Sequence, residues 1–154
     1  MTKDVLVAIK GLQFAAAEEE SNIQTITAAE YYKRNNSHYV IFDEANEGTE
    51  QSTRNIIKFK DNVLELTKKG YVNVHMIFEE NKKNLTNYAT PFGDILIGID
   101  AKKIRLQDEE NSIRVNVDYA LEVNYEFLAD CKISMEISEK EAAGSELFGK
   151  ELSH

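Results

Sequence analysis

The chain has 154 residues, of which 42% are hydrophobic and 29% charged, values typical of one globular domain with a sizeable core. Its net charge of −9, from 27 acidic and 18 basic residues, disfavours nucleic acid and anionic membranes as partners, because both require a basic face. Cys131 is the only cysteine, so no internal disulfide can form, and the lack of a signal-peptide pattern or a run of about 18 apolar residues predicts a cytoplasmic protein.

Alternating apolar and polar residues form strand-length runs along most of the chain, and helical periodicity is scarce. The sequence therefore predicts an all-β fold in a single domain over 1–138, followed by a flexible C-terminal tail over 139–154 that lacks a strand pattern. Eight to ten strands are expected, at roughly 3–14, 22–35, 38–43, 52–60, 63–67, 71–79, 84–90, 94–106, 111–124 and 129–138.

The first clear hairpin is predicted at Asn35 and Asn36, which suit a two-residue turn. That turn places Tyr31 opposite Val40 on the apolar side of the pair. His38 falls on the same side, directly after the turn.

Two further turns are predicted between residues 53 and 78. A two-residue loop at 61–62 pairs Phe59 with Leu64. A three-residue loop at 68–70 ends in glycine, which enters the left-handed region without strain, and it pairs Leu64 with Val74. The two loops give the three strands a common apolar face, and a one-residue slip in either would have mixed the faces.

The next hairpin is predicted at 91–94, as a two- or four-residue loop that pairs Thr90 with Ile95 and places Tyr88 on the apolar side. Farther along the second strand of this hairpin, the apolar residues switch from odd to even positions. We interpret the switch as a β-bulge near 101–103, which would bend the strand.

Every odd position from 113 to 137 is apolar. A single strand of this length would span about 80 Å, whereas a domain of this size has a radius of gyration of about 15 Å. The segment must therefore fold back on itself. A loop with an odd number of residues keeps the alternation in phase, and we place it between Asn124 and Asp130, where Leu128 interrupts the polar positions.

Strands joined by tight turns form a meander, and an open sheet of this size would leave two exposed edges. The sequence therefore predicts a closed up-and-down antiparallel β-barrel of eight to ten strands with the apolar face inside. A flattened sandwich is the second architecture that this pattern allows.

Four stretches of the sequence, EYYKRNNSHYVIFDE, NIIKFKDNVLELTKKG, YATPFGDILIGIDAKKI and DYALEVNYEFLADCKISMEI, resemble the YwiB-like family of small bacterial proteins with a domain of unknown function. The resemblance covers approximately residues 3–138 and is most specific at 88–93 and 102–104. It implies a calycin-like barrel, akin to lipocalins and fatty-acid-binding proteins, in agreement with the barrel predicted above. It implies no established activity, cofactor or site residue.

The three histidines, His38, His75 and His154, have no nucleophile placed near them by the pattern, and the histidines and Cys131 lack the spacing of a zinc site. The acidic loop 43–50 does not follow the spacing of a calcium-binding loop and is interpreted as a solvated surface loop. We therefore predict no catalytic residue, no metal site and no cofactor.

Polar side chains on the inward face are the candidate binding residues, since a buried tyrosine combines an apolar ring with a hydroxyl that needs a partner. A barrel of about eight strands can hold one small ligand. The candidates are Tyr31, Asn55, Thr86, Tyr88, Thr90, Tyr119 and Tyr125. The first hypothesis is binding of a small, partly apolar ligand in the barrel interior, although the same side chains also suit a filled core whose hydroxyls bond the backbone or buried water. The alternative is a non-enzymatic structural or protein-interaction module with a filled barrel, and an enzyme ranks third.

Overall fold

The computed structural model of the chain describes residues 3–11, 24–46 and 48–140. These residues form the ten strands β1 (Asp4–Lys10), β2 (Gln24–Arg34), β3 (Ser37–Ala45), β4 (Ser52–Lys60), β5 (Val63–Gly70), β6 (Val74–Glu79), β7 (Lys82–Thr90), β8 (Gly93–Asp108), β9 (Ser112–Val123) and β10 (Glu126–Glu139). The all-β prediction is confirmed. Residues 12–14 and 22–23, predicted as parts of strands, and 141–154, most of the predicted tail, lie outside the described residues. None of the described residues belongs to a helix that is long and apolar enough to cross a bilayer.

All ten strands belong to one antiparallel sheet, in the order β6-β5-β4-β3-β2-β1-β10-β9-β8-β7. The two outer strands of this order, β6 and β7, meet again along a seam. Asn73 and Ala89 exchange two backbone hydrogen bonds of 2.9 Å across the seam, and the Thr86 hydroxyl donates to the His75 carbonyl at 2.7 Å. The predicted up-and-down antiparallel barrel is thus confirmed as a nearly closed one, consistent with the calycin-like architecture that the resemblance implies.

The inward side chains fill the middle of the barrel. Phe59, Leu66, Phe78 and Ile137 come from four strands, and each is at most 1% exposed. A side chain without accessible surface does not border any void as large as a water molecule, so this region is closely packed. Burial of one such side chain contributes about 1.5–3 kcal/mol to folding, which makes the alternating pattern the main source of the barrel's stability.

Two of the predicted hairpin registers are confirmed. Tyr31 faces Val40 across a turn whose two asparagines both have positive φ. Phe59 faces Leu64 across the two-residue turn at 61–62. In both hairpins the turn residues tolerate the left-handed conformation that a tight turn between twisted strands requires.

The register predicted for β5 and β6 is wrong. β5 continues to Gly70, and Leu64 faces Phe78 rather than Val74. The shift is four residues, an even number, so the same side chains still point inward. The local cause is Asn73, whose side chain bonds the backbone of Gly70 and moves the turn past the predicted position.

The hairpin between β7 and β8 has the two-residue form of the predicted loop, at 91–92, but its pairing differs, because Thr90 faces Gly93 instead of Ile95. The Thr90 hydroxyl donates to the Gly93 carbonyl at 2.8 Å and stabilises this turn. The β-bulge predicted near 101–103 is confirmed, since the pairing of β8 with β9 shifts by one residue there.

The odd-numbered loop predicted between 124 and 130 is absent. Asn124 and Tyr125 instead form a two-residue turn with φ values of 50° and 71°. A β-bulge around Leu128 then adds one residue to β10. The even turn and the extra residue together preserve the alternation, which explains why the pattern alone suggested an odd loop.

The barrel has two distinct ends. We call the end with the turns 71–73, 91–92 and 124–125 the upper end, and the end with the turns 35–36 and 61–62 the lower end. The polar side chains of the interior collect near these two ends.

Candidate functional site

Polar side chains replace apolar ones on the inward face of β3, β4 and β5 at the upper end. The register places Glu44 opposite Thr53 and Asn55 opposite Lys68. Thr53, Asn55 and Lys68 are buried. We call these four residues the polar cluster. It lies directly above the closely packed middle of the barrel, because each member continues the inward phase of an apolar strand.

A buried ion pair is the centre of the polar cluster. Lys68 Nζ lies 3.3 Å from Glu44 Oε1, and the Lys68 side chain is 7% exposed against 32% for Glu44. An ammonium group without a partner is costly to bury, so Glu44 is what allows Lys68 to lie inside the barrel. The two charges compensate each other, and the pair leaves the interior neutral.

Asn55 brings an acceptor with free capacity to the polar cluster. Its Nδ2 donates to the Thr53 carbonyl at 3.4 Å, and the Thr53 hydroxyl donates to Asn46 Oδ1 at 2.9 Å. Asn55 Oδ1 is buried and has no hydrogen-bond partner among the described residues. A buried polar atom in this state costs about 1–3 kcal/mol, which a ligand that donates a hydrogen bond would offset.

Tyr88 extends the site across the seam from β7. Its ring packs against the core. Burial, and secondly the negative charge of Glu44, raises the pKa of the Tyr88 hydroxyl, so this phenol stays protonated. Thr90, two residues farther along β7, is half-buried and bonds the 91–92 turn. The predicted residues Asn55, Tyr88 and Thr90 thus share the upper end.

Exposed apolar side chains lie on one side of this end, on the hairpins formed by β7, β8, β9 and β10. Phe92 is 92% exposed and Tyr125 is 71% exposed, at the tips of neighbouring turns. Phe127 and Leu128, at the bulge of β10, are also exposed. We call these four residues the apolar rim. The prediction that Tyr125 lies inside the barrel is wrong, because the tight turn with positive φ turns this residue outward.

Two other predicted residues have structural partners. Tyr119 is buried in the middle of the barrel, where its ring meets Phe78 edge-on at 5.0 Å. Burial and the neighbouring Cys131 raise the pKa of the Tyr119 hydroxyl, so the phenol stays protonated. Thr86 uses its hydroxyl for the bond to β6 that helps to close the seam. Tyr119 therefore packs in the core, and Thr86 stabilises the wall of the barrel.

Tyr31 lies at the lower end, away from the other candidates. Its hydroxyl is 2.7 Å from His38 Nδ1, and the imidazole stacks on Phe59 with a centroid distance of 4.9 Å. His38 Nε2 is 3.8 Å from Asp108 Oδ2, and Lys33 Nζ is 3.9 Å from the same oxygen. A chain of polar contacts therefore crosses the barrel interior from β2 and β3 to the end of β8.

Burial determines the protonation of this lower-end chain. It is the main cause that lowers the pKa of His38, and burial followed by the charge of Asp108 raises the pKa of Tyr31. Both shifts favour a neutral imidazole and a protonated phenol near neutral pH. The contact between Tyr31 and His38 lies at the lower end. The predicted site residues are therefore divided between the two ends of the barrel.

The lowered pKa of His38 predicts a pH-dependent loss of stability. The native state binds a proton at His38 more weakly than the unfolded chain does, whose reference pKa is 6.5. As the pH falls from about 7.5 to about 5.5, the unfolded chain gains the proton first and the free energy of unfolding decreases. We expect urea midpoints to fall less over this range in His38→Gln than in wild type. The exposed His75 gives the control: His75→Gln should follow wild type, and equal slopes in all three proteins would contradict the prediction.

The sequence contains a signal for the ion pair, although Lys68 lies in the predicted loop 68–70 and Glu44 in the predicted acidic loop 43–50. Both are in phase with buried neighbours, since Lys68 follows Leu66 by two residues and Glu44 follows Phe42 by two. Extending the alternation past each predicted strand end would have placed the two charges inside the barrel.

Comparison with known proteins identifies the family. Residues 7–135 match the family described as "Domain of unknown function (DUF1934)". The crystal structure of the ywiB protein from Bacillus subtilis has the same fold, with a TM-score of 0.69 over 88% of this chain and 89% of that chain, at 16% sequence identity. No curated protein matches the chain. Since the family match spans most of the chain and agrees with the resemblance seen in the sequence, the protein belongs to the DUF1934 family.

Proposed function

We propose that the protein binds a small, partly apolar ligand at the upper end of its barrel. The observation that carries the proposal is the unpartnered Asn55 Oδ1 of the polar cluster, at the same end of the barrel as the apolar rim. Asn55 has no accessible surface, so we expect the side chains that cover it to move apart when a ligand binds. Binding sites typically combine apolar surface with a few convergent polar groups. The close packing around Phe78 restricts the site to the upper end, above the middle of the barrel.

The charges of the site indicate the ligand's chemistry. Lys68 and Glu44 neutralise each other, so a ligand with a net charge would have to break a buried ion pair. A neutral hydroxyl or amide N–H would instead satisfy Asn55 Oδ1. The Tyr88 phenol lies across the seam from the polar cluster, and the apolar part of the ligand would contact the apolar rim. The cytoplasmic location predicted in the sequence analysis is part of this proposal.

The test is native mass spectrometry of the protein purified from its own host. We expect a retained small-molecule adduct on wild type and about tenfold less adduct on Asn55→Ala, because a hydrogen bond to a buried group contributes on the order of 1 kcal/mol or more. Asn87 is an exposed asparagine on the neighbouring wall, so Asn87→Ala should keep the wild-type level. Repeated wild-type preparations without any adduct would overturn the proposal.

The alternative is a structural or protein-interaction module with a filled barrel. The packing of the barrel interior favours it, because Phe59, Leu66 and Phe78 are at most 1% exposed. In that case no adduct is retained. A protein partner is captured by wild type and lost when Phe92 and Phe127 of the apolar rim are both replaced by serine.

A further inference from the structure

A second polar site lies outside the barrel. The outer face of β8, β9 and β10 contains a depression of about 250 Å³. Its polar side chains form two rows across the three strands: Lys103, Asp118 and Lys132 in one row, and Arg105, Asn116 and Ser134 in the other. The six side chains carry three positive charges and one negative charge, on a chain whose net charge is −9.

The β-bulge of β8 explains why cations collect here. Ala101 is fully buried, and the bulge then leaves two consecutive lysines, Lys102 and Lys103, on the outside. Lys102 pairs with Asp100 at 2.7 Å. A bulge re-aims side chains and increases the local twist. Lys103 is thereby added to an outer face that already carries Arg105 and Lys132.

The three cations of the depression have no ion-pair partner among the residues that the structure describes. Neighbours on the same outer face do have partners, as Arg114 pairs with Glu136 at 3.5 Å. Asp118 lies between Lys103 and Lys132 in register but outside ion-pair distance of both. Three positive charges and one carboxylate leave this cluster with a net positive charge, which attracts an anion.

We propose that this depression binds the phosphate group of a small phosphorylated molecule. The planar guanidinium of Arg105 can engage two phosphate oxygens, and the two lysines offset the remaining charge. Ser134 Oγ donates to Asn116 Oδ1 at 3.0 Å, which leaves the Asn116 amide hydrogens as donors. Asp118 can accept a hydroxyl of the same molecule.

The size and charge of the depression distinguish this ligand from larger polyanions. Pockets for drug-sized molecules measure about 300–1,000 Å³, so a depression of about 250 Å³ accommodates one head group and leaves the rest of the molecule outside. The acidic chain beyond the cluster disfavours nucleic acid, whose binding requires an extended basic face.

The test follows backbone amide signals of the full chain by NMR during titration with inorganic phosphate and with glycerol 3-phosphate. We expect saturable shifts confined to the two rows, at constant ionic strength set with chloride. Glycerol 3-phosphate should bind more tightly than inorganic phosphate, because its hydroxyls can reach Asp118. Arg105→Gln and Lys132→Gln should each weaken binding about tenfold.

Lys60→Gln is the matched control, since it removes the same charge from an exposed lysine on β4, on the other side of the barrel. It should leave the affinity within about twofold of wild type. Equal weakening by Lys60→Gln and Arg105→Gln would show general charge attraction and overturn the site. Tighter binding of single-stranded DNA or anionic vesicles than of glycerol 3-phosphate would also overturn it.

Discussion

Replacing Glu44 by alanine should lower the free energy of unfolding by about 2–3 kcal/mol. The change leaves the ammonium of Lys68 inside the barrel at 7% exposure without its partner at 3.3 Å. Breaking a fully buried pair costs about 3–5 kcal/mol, and the partial exposure of Glu44 reduces the effect. Urea unfolding near neutral pH, followed by circular dichroism, measures it.

Three variants test whether burial causes this effect. Lys68→Met keeps the aliphatic stem and removes the charge, so it should stay within about 1 kcal/mol of wild type. The double variant Glu44→Ala/Lys68→Met should recover most of the loss. The control pair Asp43–Arg54 lies on the outer face of β3 and β4 at the same distance of 3.3 Å. Asp43→Ala should cost at most about 0.5 kcal/mol, and a loss equal to that of Glu44→Ala would contradict the assignment.

Replacing Phe78 by alanine should lower the free energy of unfolding by about 3–5 kcal/mol. Phe78 has no accessible surface and meets the ring of Tyr119 at 5.0 Å, so its removal leaves a cavity that the surrounding strands cannot fill. The same urea experiment measures the loss. Phe127→Ala is the control, because this ring is 64% exposed on the outer face, and it should change stability by less than about 0.5 kcal/mol.

A second measurement identifies the origin of the loss. A dry apolar cavity binds benzene, so added benzene should raise the urea midpoint of Phe78→Ala and leave that of wild type unchanged. A loss below about 1 kcal/mol in Phe78→Ala would show that the barrel interior is already loosely packed. The middle of the barrel would then not be the closely packed region described above.

The alternation of apolar residues predicted the strands and the inward faces, because a period of two identifies the buried side of a strand without any knowledge of its neighbours. The alternation could not predict the register of each strand against its neighbour. Leu64 keeps an apolar partner whether it faces Val74 or Phe78, so the pattern allows both registers. The actual register depends on Asn73, whose side chain bonds Gly70 and determines the position of the turn.

The candidate site was less predictable. Whether two side chains on different strands lie at the same end of a barrel depends on the register of every strand between them. Tyr31 and Tyr88 share the inward phase yet lie near opposite ends. The contact of His38 with Asp108 joins β3 and β8, which are far apart in sequence and face each other only once the barrel has closed. The alternation in the sequence predicts that such residues lie inside the barrel, but it does not predict which of them are in contact.

The pairing of β1 with β10 has a consequence for the kinetics of folding. Val5 lies opposite Glu139, whereas the other ladders of the barrel join strands that follow each other in the chain. Hairpins form in about 1–10 μs, but the β1–β10 contacts require closure of a loop of well over a hundred residues. Closing that loop costs conformational entropy, and few contacts offset the cost until β1 and β10 have paired. We therefore expect the barrel to fold on the millisecond-to-second scale of proteins with non-local β pairing.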